Sequence, residues 1–128
     1  MSRGMWSRAL TSVNRGVMSV CDLSQKKCKP CEGGVPPMTE SEIVSLLPTL
    51  VGWGLGADKK SIVRMFKFDD FEKTMKFVNA VAAMATVEDH HPDLRVGYNY
   101  CEVLYTTHAI GGLSENDVIC AAKVNDIY

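Results

Sequence analysis

The sequence predicts an α+β fold, a four-stranded, mostly antiparallel sheet with helices packed on one face. Two pairs of short segments rich in branched and aromatic residues predict the strands. One long segment with helical apolar rhythm separates the pairs, and capping signals open helices at both ends of the domain. Paired strands joined through a helix pack best as one sheet with helices laid on one side. At 128 residues the chain has room for one domain and one site.

Residues 1–20 carry Arg3, Arg8 and Arg15, several serines and no acid. On a helical wheel Trp6, Leu10, Val13 and Val17 share a face opposite Arg8, Ser12, Arg15 and Ser19. Two readings stand: an organelle transit peptide, or an amphipathic helix or frayed tail of the mature protein. Residues 21–38 contain Pro30, Gly33, Gly34, Pro36 and Pro37, breakers that suit a linker or extended lead-in. The domain is expected over 39–128. Thr39-x-x-Glu42 forms a capping box ahead of Ile43, Val44, Leu46 and Leu47, and Pro48 bounds that short helix.

Trp53 to Gly56 and Ser61 to Phe68 read as strands around the turn Ala57-Asp58-Lys59-Lys60. Asp69-x-x-Glu72 offers a second capping box, opening a long helix with apolar positions 71, 75, 78, 82 and 85 toward the core. Pro92 disfavours helical angles at His91, so that helix ends around 87–90. Leu94 to Tyr98 and Tyr100 to Thr107 form the second strand pair, reversing near Gly97 and Asn99. Gly111-Gly112 precedes Ser114-x-x-Asp117, a third capping arrangement, and a last helix with Val118, Ala121 and Ala122 inward.

The formal net charge is −1, but without the first 20 residues the chain carries 11 basic and 15 acidic side chains. A body of that sign lacks the footprint of direct nucleic-acid binding. No apolar run is long enough to span a bilayer, so the chain reads as soluble. Five cysteines and no secretory signal point to a reducing compartment. Cys28-x-x-Cys31 is half of a zinc pattern with no second half, and its Lys29-Pro30 core reads as a turn. A redox pair there lacks a strand-then-helix context.

All three histidines lie between 90 and 108. Imidazole exchanges protons near neutral pH, and both histidine sites fall at element ends, where rigid supports present functional groups to loops. Each histidine also has a plain structural reading, at a helix C-terminus or capping a strand. Zinc held by three histidines finds no matching spacing.

His90-His91-Pro92, then five residues to Tyr98, nine to His108 and eight to Asp117 reproduce the signature of the pterin-4a-carbinolamine dehydratases. Phe77-Val78-Asn79, Asp93-Leu94, Thr107, Gly112-Leu113-Ser114 and Asn116 also resemble that family. The lead-in Lys27-Cys28-Lys29-Pro30-Cys31-Glu32-Gly33-Gly34 resembles its extended form in plants and other plastid-bearing lineages. The resemblance covers roughly 27–127, with its specific core at 88–117. One position departs: four residues before His90 the family usually has a charged side chain, and here Thr86 stands. Glu88 is near, but two residues turn a helix by about 200°.

The resemblance implies dehydration of a 4a-hydroxytetrahydropterin to quinonoid dihydropterin and water, with neither metal nor organic cofactor. His90, His91 and His108 are the implied catalytic residues, and Asp89, Thr106, Thr107 and Ala109 the implied pterin contacts beside them. Asp117 is accounted for by helix capping. The family also implies sheet-edge dimers assembled as tetramers, tetrahydrobiopterin recycling, and coupling to an aromatic amino acid hydroxylase. The other reading is a non-catalytic dimerisation cofactor for a transcription activator. Location follows residues 1–20: cytoplasmic, or mitochondrial or plastid if they are a transit peptide.

Overall fold

The structure, a computed structural model, describes residues 20–30 and 36–128. The apolar face expected around Trp6 to Val17 lies outside the described residues. Four helices are described, α1 (Val20–Gln25), α2 (Glu40–Leu46), α3 (Phe71–Glu88) and α4 (Glu115–Ile127), with strands β1 (Gly54–Leu55), β2 (Ile62–Lys67), β3 (Asp93–Val96) and β4 (Tyr100–Tyr105). The sheet order is β1-β2-β4-β3, and every neighbouring pair is antiparallel.

Alternation along β2 and β4 sets the two faces of the sheet. Register places Ile62 opposite Tyr105 and Phe66 opposite Cys101, and these four with Val103 are buried. Against them pack Phe77 and Val81 of α3 and the buried Val118, Ile119 and Ala122 of α4. Phe66 and Phe77 approach to 4.7 Å between ring centres, and Trp53 meets Phe66 edge-on at 6.2 Å, the tilted geometries that aromatic pairs favour. The other face is mixed: Arg95 pairs with Glu102 across β3 and β4 at 3.1 Å, beside Val63, Met65 and Leu104.

The Thr39 capping box is present in full, as is the one at Ser114 and Asp117. The cap of α3 differs from expectation. Asp70, not Asp69, is the N-cap and accepts the Lys73 N–H at 2.8 Å, while Asp69 pairs with the Lys73 ammonium. The inward face of α3 also differs: Thr74, Phe77, Val81 and Ala85 are buried, whereas Phe71 is half exposed and Ala82 is exposed. Apolar residues surround this helix from Ala80 to Met84, so periodicity alone cannot choose the side that meets the sheet.

The lead-in, expected as an irregular linker, begins with a helix. Leu23 of α1 is 1% exposed and belongs to the core, and Ser24 O accepts the Lys123 ammonium at 2.7 Å. Residues 20–30 are therefore docked on α4.

Candidate active site

The end of α3 places the first site residue. Asp89 closes the helix in the left-handed region (φ 51°, ψ 41°), a conformation that an Asp side chain tolerates better than most. Asp89 N–H then bonds to Thr86 O and His90 N–H to Ala85 O, so orphan carbonyls of the last turn are satisfied. This reversal swings the His90 ring toward the N-terminus of α4. There Nε2 donates to Asp117 Oδ1 at 2.6 Å, and the ring stacks on Tyr105 at 5.5 Å, nearly parallel.

Asp117 is fully buried. Its Oδ2 accepts Thr107 Oγ1 at 2.7 Å and the Ser114 N–H at 2.9 Å, and the first turn of a helix favours negative charge. Capping therefore explains only one of its two oxygens, because the other holds His90. Burial opposes a charge on His90, but the hydrogen bond and the charge of Asp117 outweigh it and raise the imidazole pKa above its ordinary value. Nδ1 of His90 has no partner among the described residues.

A cleft of about 540 Å³ opens beside this pair. Its walls come from the lead-in (Cys28, Lys29, Pro30), the end of α3 (Val87 to His90), Thr107, Ala109 and Asn116. Of the expected site residues, Asp89, His90, Thr107 and Ala109 are thus brought together. His91 and His108 are exposed to solvent and do not line this cleft, although each directly adjoins a residue that does. His108 opens a single turn of 3-10 helix that Gly111 closes with φ 68°. Thr106 points elsewhere, donating to Lys60 O at 2.6 Å. Tyr98 is exposed, and its carbonyl accepts Thr74 Oγ1.

Six cleft residues were not among the expected site residues: Cys28, Lys29, Pro30, Val87, Glu88 and Asn116. The Glu88 carboxylate is 6% exposed and lies 3.7 Å from Lys123 Nζ, and it accepts the Cys28 N–H at 2.9 Å. Burial opposes its charge, but these partners hold the carboxyl below its ordinary range. Cys28 Sγ sits 3.4 Å from Cys120 Sγ. That contact and burial drive the Cys28 pKa far upward, so it is a neutral thiol without nucleophilic character. The Tyr105 hydroxyl beneath is buried without a well-formed hydrogen bond among the described residues. Among the described residues no group of three or more His, Cys, Asp or Glu is arranged to hold a metal ion, and Cys31 lies outside them.

An imidazole anchored by a buried carboxylate, in an open cleft on a helix-backed antiparallel sheet, defines an α+β domain equipped for proton transfer. The sequence matches the family model described as pterin 4 alpha carbinolamine dehydratase over residues 36–127. A Nitrosomonas eutropha protein assigned by name to the pterin-4-alpha-carbinolamine dehydratases is 61% identical over 108 residues, 84% of this chain and 94% of that one. A counterpart so named from Legionella pneumophila is 50% identical over 83% of this chain and 95% of its own. A crystal structure described as a transcriptional coactivator/pterin dehydratase from Brucella melitensis superposes with a TM-score of 0.69 at 37% identity, covering 71% of this chain and 97% of that one. The chain belongs to the pterin-4-alpha-carbinolamine dehydratase family, and it is a dehydratase, an enzyme of the hydro-lyase class. A match of 108 residues cannot fit between residue 36 and the last residue, so the likeness to the Nitrosomonas protein runs back into the lead-in.

Proposed function

We propose that the enzyme dehydrates 4a-hydroxytetrahydropterins by histidine acid-base chemistry, in the recycling of tetrahydrobiopterin after an aromatic amino acid hydroxylase has used it. The observation that carries this reading is the His90–Asp117 pair beside an open cleft. In the reaction the C4a–O bond breaks, the hydroxyl leaves as water after gaining a proton, and N5 loses its proton as the C4a=N5 bond forms. His90, whose charged form Asp117 favours, supplies positive charge at the wall and a proton for the departing hydroxyl. His91 and His108, free to meet solvent beside the cleft, relay protons and take the one leaving N5. Proton transfer of this kind is worth about 10²–10⁴ in rate.

Asp89, Thr107 and Ala109 frame the pterin from the cleft, and Thr106 acts through its neighbour. The edge strand β3, with all four residues exposed, and Leu94 and Val96 partly uncovered, supports pairing of subunits through this edge. Stopped-flow measurement of carbinolamine dehydration by the purified protein, with each histidine replaced in turn by alanine, tests the proposal.

A further inference from the structure

The lead-in supplies one wall of the cleft, yet the family model begins only at residue 36. Beyond the side-chain contacts of Leu23 and Cys28, residues 28 and 29 are held to the domain through their backbone. Asn116, 7% exposed, accepts the Lys29 N–H through Oδ1 at 3.0 Å and donates through Nδ2 to Lys29 O at 2.5 Å. One side-chain amide thereby satisfies both polar groups of a single residue, as a strand partner would. Glu88 takes the preceding N–H, that of Cys28. The two clamping side chains adjoin the anchored pair in sequence: Glu88 lies two residues before His90, and Asn116 directly precedes Asp117. The same helix ends that join His90 to Asp117 therefore fix where the wall stands relative to them.

We infer that residues 28–30 form a substrate-positioning wall, with Asn116 and Glu88 as the positioning residues that hold it against the pterin. This rests on the dehydratase reading. The amides of Cys28 and Lys29 are already committed to the clamp and Pro30 has none, so the backbone of the wall has no donor to give the reacting atoms. It offers shape and exclusion of water, interactions made equally in ground and transition states, and these appear in KM rather than kcat.

The test uses the full chain and the variants Asn116→Ala, Glu88→Ala and Glu88→Gln, assayed well below each melting temperature. KM and kcat for carbinolamine dehydration are measured together with the Kd of 7,8-dihydrobiopterin by equilibrium dialysis. Losing the clamp should raise KM and Kd about five- to ten-fold in Glu88→Ala, the worth of its one hydrogen bond to the wall, and at least as much in Asn116→Ala, which removes both bonds to Lys29, with kcat little changed. Glu88→Gln, which keeps an acceptor for the Cys28 amide, should recover most of that loss. Unchanged KM and Kd in both alanine variants of an active enzyme, or a fall confined to kcat, would overturn the wall alone. Failure of Glu88→Gln to do better than Glu88→Ala would overturn the clamp at Glu88. A wild-type protein that binds dihydrobiopterin but does not dehydrate the carbinolamine overturns the dehydratase reading, and the inference with it.

Discussion

His90 Nε2 and Asp117 Oδ1 lie 2.6 Å apart, joining the end of α3 to the first turn of α4 across 27 residues of sequence. The carboxylate is closed to solvent and the imidazole side chain is 12% exposed, so this contact ties helix packing to the charge state of the cleft.

Replacing Asp117 by alanine should lower stability by about 3–5 kcal/mol, because His90, Thr107 and the Ser114 N–H all lose a buried partner at once. Urea unfolding of the two proteins measures it. A loss below about 1 kcal/mol would mean that the pair contributes no more than a surface contact.

Stability should depend on pH through the same pair. The folded-state pKa of His90 is raised above its ordinary 6.5, so its stabilising contribution is complete below that value and is lost as pH rises through the folded pKa. The melting temperature of the wild type should therefore exceed that of His90→Gln by most in mildly acid buffer, and the gap should narrow toward alkaline pH. A gap that widens with pH contradicts the sign. Asp89 and Cys28 also face this imidazole electrostatically, which makes the comparison with the variant necessary.

Much of the fold was legible because local signals agreed with the tertiary arrangement. The boxes at Thr39 and Ser114 announce their helices, and the branched and aromatic residues of Tyr100 to Thr107 announce β4. Where local signals were degenerate the sequence misled. Asp69 and Asp70 are adjacent candidates for one cap, and only the extended backbone of Asp70 (φ −153°, ψ 178°) decides between them. Apolar residues on several sides of α3 hid which stripe meets the sheet.

At the site, the histidines stood out through residue type and spacing, but their inequality did not. His90 is anchored and His91 exposed although the two are adjacent, because the left-handed turn at Asp89 sends only one ring toward α4. The wall was invisible for another reason. Cys28 meets Glu88 across 60 residues and Lys29 meets Asn116 across 87, and no short-range pattern encodes a side chain clamping a distant backbone.

Leu23 tests the docking of the lead-in. Truncation to alanine removes a buried side chain from the contact of α1 with α4 and should cost about 2–4 kcal/mol, read by thermal or urea unfolding. A neutral result would show that α1 contributes nothing to the folded domain.

Exhaustive chelation should leave dehydration unchanged, since every proposed step is a proton transfer between side chains and substrate. Loss of activity restored by added zinc would instead bring the Cys28 and Cys31 pair into the chemistry.

The proposal of histidine acid-base catalysis is tested most directly by stopped-flow dehydration of a freshly generated 4a-carbinolamine, comparing wild type with His91→Ala and His108→Ala at matched circular dichroism. Wild-type protein should accelerate the reaction, and each variant should lose about 10²–10⁴ of that acceleration. Wild-type rates in both variants, with the fold intact, would contradict it.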